Sequence, residues 1–295
     1  KQAAEAAYDI IKQKTDLGLD LVPYPQIFND VNNQKAEVIL YRPTGESGDF
    51  EKANFPIGVE GGKTSTCPTQ NLMEAYDMKD GTPFVWNNQS NPYDNRDPRM
   101  KYTIVCNEMK WPVDPVEIWE GGTNGLPLQN ATTTGYYLKK YVNNTISFEA
   151  GSTVTKKQHN WVLFRYGEIL LNYAEAMINA FHDPNYKDAV YNMSAREAVN
   201  QIRGRTNISL PGFPSDITEK DFVKRLKNER RVELAFEGHR FWDVRRWKEL
   251  GQTANIYGVK ITKNNEVISY EKFLLETRAV TDNMYFYPIP NTERF

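Results

Sequence analysis

Three carboxylates in the most highly charged part of the chain could carry out acid–base chemistry. The segment 228–250 is dense in Arg, Glu and aromatic residues, and in it Glu229, Glu233 and Glu237 lie four residues apart. On a helix this spacing places them in one stripe. A glycosidase needs a pair of carboxyl groups on opposite sides of one sugar bond. Carboxylates stacked along one helix face cannot easily bracket a substrate in this way.

An ion-pair network that orients packed helices is the other interpretation of the stripe, and the one we prefer. Arg225, Arg230 and Arg240 lie three or four residues from a member of the stripe, which is the spacing of intrahelical ion pairs. We therefore expect these arginines to neutralise the carboxylates. The aromatic residues of the same segment are expected to be buried among the helices: Phe236, Phe241 and Trp242.

Other residue sets that could support catalysis or hold a cofactor are incomplete. Gly58 to Thr64 is close to a phosphate-binding loop, but its first glycine is one residue too near the Gly-Lys pair. The sequence has no Gly-x-Ser-x-Gly nucleophile motif. His159, His182 and His239 form no two-histidine helical metal motif. We therefore predict no catalytic residue, no cofactor and no metal site, and hence no enzyme.

Composition limits the classes of partner. The chain has 295 residues, 36 basic and 38 acidic, with a net charge of -2, so nucleic acid and anionic membrane surfaces are poor candidates. Aromatic residues make up 13%, including 17 Tyr and 6 Trp. This excess favours exposed platforms for flat, hydroxylated ligands or for a protein partner. The two cysteines, Cys67 and Cys106, provide no disulfide framework.

The predicted ligand-binding residues are tryptophans in irregular loops. The segment 84–135 is repeatedly broken by Asn, Pro and Gly, and a loop region of this length inside a compact domain is usually functional. A sugar ring offers an apolar C–H face to an indole and an edge of hydroxyls to amides and carboxylates. We therefore predict substrate binding by Trp86, Asn88, Trp111 and Trp119. The alternative is that each indole fills a gap under its own loop.

The elements that must position these loops are mostly helices. Helical patterns cover 3–14, 68–78, 161–181, 194–205 and the segment after Thr218, with a break at Gly238. Ser194 and Glu197 have capping-box spacing. Short strands are predicted at 38–41, 101–106 and 136–142, the last two paired, and 44–69 is predicted to be mostly loop. Helix pairs in series favour a mainly α fold, a TPR-like α/α superhelix with long irregular loops and a few short strands.

Several motifs resemble those of the SusD/RagB family, the glycan- and nutrient-binding lipoproteins of the Bacteroidetes cell surface. The segment 228–250 is similar to the family's hallmark helix. The other matching segments, in the family's order, are 67–81 (PTxELxxAYxMxDG), 92–99 (PYxNRDPR), 134–140 (TGYYxxK), 164–176 (the central TPR helix) and 287–290 (YPIP). The resemblance implies one SusD-like domain over 1–295, with a loop-rich, ligand-facing part at 1–159 and a helical part at 160–295.

The resemblance also implies a function. It implies a non-catalytic, surface-exposed outer-membrane lipoprotein that delivers oligosaccharide to a SusC-like TonB-dependent transporter. The chain begins at Lys1 and shows no signal peptide or membrane-spanning run. We therefore expect the family's N-terminal part, with the lipid anchor and the first TPR helices, to be missing. A non-sugar cargo such as peptide, and a glycoside hydrolase, stay open as alternatives.

Overall fold

A computed structural model describes residues 1–28, 36–87, 91–287 and 289–294. The α-helices are α1 (Gln2–Lys12), α2 (Asp49–Asn54), α3 (Gln70–Met73), α4 (Pro98–Thr103), α5 (Tyr166–Phe181), α6 (Ala195–Arg203), α7 (Glu219–Glu233) and α8 (His239–Arg246). The strands are β1 (Val38–Ser47), β2 (Ile104–Val105), β3 (Tyr137–Leu138), β4 (Lys157–Arg165), β5 (Asn255–Asn264) and β6 (Val267–Thr277). Short 3-10 helices lie at Tyr24–Ile27, Leu250–Thr253, Asp282–Tyr285 and Asn291–Glu293.

Four helices, α1, α5, α6 and α7, build the first core. Their apolar faces share one buried cluster, in which Leu170, Val199 and Phe222 are fully buried. The helix starts follow the sequence signals. The Ser194 side chain accepts a hydrogen bond from the Glu197 N–H, and the Glu197 carboxylate accepts one from the Ser194 N–H, which completes the predicted capping box. The predicted mainly α, TPR-like architecture is confirmed in this packing.

The strands form three antiparallel pairs, β1 with β4, β2 with β3 and β5 with β6. The predicted pairing of 101–106 with 136–142 is confirmed by β2 and β3, but each strand is only two residues long, and residues 101–103 belong to the end of α4. The hairpin of β5 and β6 carries Val259 and Ile261 into a second buried cluster beneath the loops of 84–135.

The predicted helix over 161–181 is wrong at its beginning. Residues 161–165 belong to β4, and the helix starts only at Tyr166. In β4, Trp161 pairs with Arg42 and Val162 with Tyr41 of β1. Bulky aromatic and β-branched side chains favour an extended pleated backbone, and this pairing satisfies the backbone groups that a helix would have used internally. The predicted boundary at residue 159 therefore falls inside a strand.

Two further segments differ in part from prediction. The segment 44–69 is mostly loop, as predicted, but β1 continues to Ser47 and α2 follows it. The helix predicted over 68–78 is a single turn, Gln70–Met73, capped by the Thr69 side chain. The chain then turns at Gly81, whose φ of +81° favours glycine.

The carboxylate stripe of α7 forms a buried ion network. Glu233 is fully buried, and its Oε1 lies 2.8 Å from Arg165 Nη1 and 2.7 Å from Arg205 Nη2. Its Oε2 lies 2.8 Å from Arg99 Nη1. Glu229 bridges Arg99, at 2.5 Å, and Arg203, at 2.7 Å. Because these arginines come from α4, β4 and the end of α6, one helix face joins three other elements.

The network continues on both sides of this centre. Glu237, the third member of the predicted stripe, lies in the turn after the end of α7, and it accepts hydrogen bonds from Arg165 Nε at 2.7 Å and from Lys140 Nζ at 2.7 Å. Glu37, immediately before β1, pairs with Arg165 at 2.7 Å and also contacts Arg205. The ion-pair interpretation of the stripe is therefore supported by the structure, because the stripe's carboxylates are engaged with cations and withdrawn from solvent.

The predicted intrahelical partners were wrong. Arg225 lies 3.5 Å from Asp77, and Arg230 lies 2.9 Å from Asp243. Arg240 donates a hydrogen bond to Gln252 at 2.9 Å. The carboxylates on the buried face of α7 pair with guanidinium groups from distant parts of the chain. Residue spacing along one helix does not predict such pairs.

Within the described ranges, no helix is long and apolar enough to cross a bilayer. The same ranges contain no group of three or more His, Cys, Asp or Glu residues placed to hold a metal ion.

Removal of one charge from the network should destabilise the fold strongly. We expect Glu233→Gln to lower the free energy of unfolding by about 3–5 kcal/mol, because it leaves buried guanidinium groups without their counter-charge. Denaturant titration followed by circular dichroism measures the change. Arg278→Gln, which breaks the exposed pair with Glu276, is the matched control and should be nearly neutral. Equal effects of the two substitutions would contradict the structural role.

The network should also make stability depend on pH on the acid side. Burial alone raises the pKa of Glu229 and Glu233, but the adjacent arginine charges outweigh it and hold both pKa values below the ordinary 4.5. A carboxylate with a depressed folded-state pKa stabilises the fold above its unfolded pKa and loses that contribution as pH falls.

We therefore expect a free energy of unfolding that is level near neutral pH and falls progressively below about pH 5. Denaturant titrations from pH 7 to pH 3 test this, with Glu233→Gln showing a shallower decline. A wild-type curve that does not fall in this range would contradict the network's linkage to protonation.

Candidate ligand-binding surfaces

A depression of about 540 Å³ opens among the irregular loops and has Trp111 in its lining. Its lining residues are 58–60, 111–117, 123–124 and Glu149. Trp111 itself is only 3% exposed, and its ring meets Phe55 edge to face at 5.5 Å between centroids. The indole therefore belongs mainly to the second core and presents only a small part of its surface to this depression.

Polar groups surround the depression. Asn124 accepts a hydrogen bond from the Gly58 N–H at 2.8 Å, which holds two loops together. A Cβ on Gly58 would lie 2.6 Å from the Thr123 carbonyl oxygen, so the close approach of these loops needs glycine. Glu117 accepts a hydrogen bond from the Thr123 hydroxyl at 3.2 Å. Carboxylate, amide and hydroxyl groups held in this way can bind sugar hydroxyls.

Trp119 is half-buried beside the hairpin of β5 and β6. The ammonium of Lys263 lies 4.4 Å from its ring centroid, a distance typical of a cation–π contact. The chain is fixed at this point, because the Glu120 N–H donates to the Ile261 carbonyl oxygen at 2.9 Å. Since Trp119 is neither fully buried nor detached from the core, its partly exposed indole can offer a rigid apolar surface.

Trp86 is also half-buried, and its ring meets Phe84 edge to face at 6.4 Å between centroids. Asn88, predicted to bind substrate beside it, lies outside the described residues. Trp86, Trp111 and Trp119 all pack on or within the second buried cluster. Trp111 lines the loop depression, whereas Trp86 and Trp119 are absent from that lining. Their roles in binding stay predictions.

An aromatic surface that the sequence did not predict lies on α8 and the C-terminal segment. Phe241, Trp242 and Tyr287 have ring centroids 5.1–5.7 Å apart. Trp242 is 56% exposed and Tyr287 66%. The adjoining depression of about 900 Å³ also has Arg245 and Asp282 in its lining.

The expected burial of Phe236, Phe241 and Trp242 was therefore wrong. Asp243 and Val244 form the buried face of α8, so the helix turns Trp242 nearly to the opposite side. Asp243 faces inward because it pairs with Arg230. A prediction from hydrophobicity places the tryptophan inside and the aspartate outside, which is the reverse of what the structure shows.

The turn at 92–99 has the structural role expected from its Asp and Arg residues. Arg99 Nη2 lies 2.7 Å from Asp97 Oδ2, and the Asp97 side chain caps α4. Arg96 donates hydrogen bonds to the carbonyl oxygens of Met73 and Tyr76, each at 2.7 Å, and stacks on Phe84. This turn anchors the loop that carries Trp86.

Comparisons with known proteins agree with the fold and the motifs. The family model SusD_RagB, described as the SusD family, matches residues 27–294. A SusD-like protein of Formosa agariphila is 36% identical over 91 residues, which are 29% of this chain and 16% of that protein.

Solved structures extend this similarity over nearly the whole chain. A SusD-like protein of Bacteroides fragilis has a TM-score of 0.78 and 26% identity, covering 99% of this chain and 60% of its own. A SusD-like carbohydrate-binding protein of the same species has a TM-score of 0.79 and 23% identity, with coverages of 98% and 59%. The chain thus spans about 60% of the length of these two structures.

The buried Trp111 and the exposed Trp242 should differ in how much their substitution lowers the free energy of unfolding. We expect Trp111→Ala to lower the free energy of unfolding by about 3–5 kcal/mol, because it leaves a cavity in the second core. Trp242→Ala should change it by about 0.5 kcal/mol or less, because this side chain is mostly exposed. Denaturant titration of both variants checks the assignment. A larger loss for Trp242→Ala than for Trp111→Ala would contradict it.

Proposed function

The chain belongs to the SusD family, and we propose that it binds an extracellular glycan at the cell surface and passes it, uncut, to a SusC-like TonB-dependent outer-membrane transporter. The observation that carries this proposal is the loop depression of about 540 Å³, with polar side chains around the edge of Trp111 and the loops fixed on a packed frame. Binding residues are commonly found on loops that a rigid scaffold positions.

The chemistry of this surface suits a neutral, hydroxylated ligand. Glu117 supplies carboxylate acceptors and the exposed Thr123 supplies a hydroxyl, so sugar hydroxyl groups can be bound, while the buried Asn124 holds the loops that carry them. The partly exposed indole of Trp119 does not line the depression, but we expect it to extend the binding surface with an apolar face in the same loop segment. Each hydrogen bond is modest, so affinity depends on several contacts made at once by loops that do not move far.

Hydrolysis is not part of the proposal, and the buried stripe of α7 supports this view. Glu229 and Glu233 are 3% and 0% exposed and each contacts two or more arginines. A general acid needs a raised pKa and access to the glycosidic oxygen, and these carboxyl groups have lowered pKa values and no such access.

Glycan binding is tested by affinity electrophoresis of the purified chain through gels that contain a panel of neutral polysaccharides. We expect retardation by at least one polysaccharide, and a loss of about tenfold or more in affinity for Trp119→Ala, since aromatic contacts dominate such interfaces. Glu117→Gln should weaken binding without unfolding, because this side chain lines the depression.

Trp242→Ala is the matched control, because it removes an exposed indole from another surface. Loss of retention in Trp242→Ala together with unchanged retention in Trp119→Ala would move the site to α8. If no polysaccharide retards the chain but the chain binds peptides, a peptide cargo would be favoured. Release of reducing sugar by the purified chain would favour a hydrolase. It would contradict the proposal that the glycan is delivered without cleavage.

Association with the transporter needs a separate measurement. A tagged chain incubated with detergent-solubilised outer membranes of its source bacterium should co-elute with a TonB-dependent transporter identified by mass spectrometry. Glu233→Gln is expected to destabilise the fold. It should therefore reduce the amount of co-eluted transporter in proportion to the fraction of chain that is folded. Elution of folded chain without any such transporter would count against the delivery role.

A further inference from the structure

A basic pocket of about 450 Å³ lies between α7, the start of α8 and the segment after α3. Its lining includes six cations, namely Lys220, Lys224, Arg225, Lys227, Arg231 and Arg240. The same lining includes three carboxylates, those of Glu74, Asp77 and Glu249. The pocket is therefore positively charged, although the chain as a whole has a net charge of -2.

The three carboxylates of the pocket are already neutralised. Glu74 lies 2.8 Å from Lys272, a residue outside this lining, and Glu249 lies 2.5 Å from Lys227. Asp77 lies 3.3 Å from Arg203 and 3.5 Å from Arg225. These carboxylates consequently provide little counter-charge to the remaining cations of the pocket.

Within the described residues, the guanidinium groups of Arg231 and Arg240 donate hydrogen bonds to uncharged oxygen atoms and not to carboxylates. Arg231 donates to the Asn71 carbonyl oxygen at 2.8 Å, and Arg240 donates to Gln252 Oε1 at 2.9 Å. Neither forms an ion pair with a carboxylate within the described part of the chain. This contrasts with the arginines of the buried network, each of which contacts one or more carboxylates.

Burial disfavours the charged form of both groups, and Arg240 adds to this effect at Arg231. Burial, and next the positive charge of Arg240, lower the pKa of Arg231 to about 10. Burial likewise lowers the pKa of Arg240. Asp243 and Glu249 act in the opposite direction on Arg240, as Glu74 does on Arg231, but none of them pairs directly with either guanidinium within the described residues, so a bound anion would stabilise both charges further.

We propose that this pocket binds an oxyanion, the carboxylate or sulfate group of an acidic sugar, between Arg231 and Arg240. A guanidinium presents several N–H donors in a plane, which match the paired oxygens of a carboxylate or sulfate. The exposed ammonium groups of Lys220 and Lys224 raise the local anion concentration. Phe84, which contacts Trp86, supplies an apolar wall for the sugar ring.

This site is distinct from the loop depression, and its test does not depend on the proposed function. Isothermal titration calorimetry of the purified chain uses four probes: inorganic sulfate, a sulfated oligosaccharide, a uronic-acid oligosaccharide and a neutral oligosaccharide of equal length. We expect sulfate and at least one acidic oligosaccharide to bind, with affinity that falls as sodium chloride is raised. Which acidic oligosaccharide binds distinguishes sulfate from carboxylate as the natural group.

Arg240→Gln and Arg231→Gln should each raise the Kd of the acidic probes about tenfold or more, the loss typical of a charge-assisted hydrogen bond. Within the described residues the Arg240 side chain has one hydrogen bond, to the exposed Gln252, so we expect Arg240→Gln to test the site with little effect on the fold. Arg278→Gln removes an arginine charge elsewhere and should leave the Kd unchanged.

Two results would overturn the proposal. One is the absence of heat for sulfate and both acidic oligosaccharides with the folded wild-type chain. The other is binding that Arg240→Gln, Arg231→Gln and Arg278→Gln weaken equally, which would indicate diffuse charge attraction. Binding of neutral glycan in the loop depression is unaffected by either result, so the two proposals fail separately.

Discussion

The buried contact between Glu233 and three arginines is the interaction on which the rest of the structure depends. Arg99, Arg165 and Arg205 belong to different parts of the chain, and one carboxylate of α7 holds all three. Buried ion pairs contribute little net stability compared with apolar packing, but removal of one partner is costly. The network therefore acts mainly by allowing one arrangement of α4, α6, α7 and β4, since a displaced element would leave a charge unpaired in the interior.

This constraint explains how long irregular loops can carry a binding surface. α7 contributes Phe222 and Leu226 to the helical core and Val232 to the core beneath the loops. A single helix consequently fixes both cores, and the ion network locks its rotation. The loops around Trp111 and Trp119 rest on the second core, so their polar groups are placed with little loss of conformational entropy on binding.

Charge is used in opposite ways on two sides of α7. On its buried side, carboxylates and guanidinium groups are matched by contacts shorter than 3 Å. On the side of the basic pocket, Arg231 and Arg240 have no such match within the described residues. An arginine has a structural role where a carboxylate of the chain neutralises it. An arginine without such a carboxylate is available to bind a ligand, so the ion-pair partners of each side chain distinguish the two roles.

Local sequence signals predicted α1, α6 and α7, the capping box of α6 and the family motifs, because these depend on residues within a few positions of one another. The capping box at Ser194 and the break at Gly238 belong to this class, whereas the pairing of 101–106 with 136–142 joins distant segments and was predicted from the alternating pattern of each one. Tertiary contacts determine that 161–165 is a strand, that Trp111 is buried and that Trp242 is exposed. Those outcomes depend on contacts with distant segments, such as β1 against β4 and Arg230 against Asp243, which local spacing does not encode.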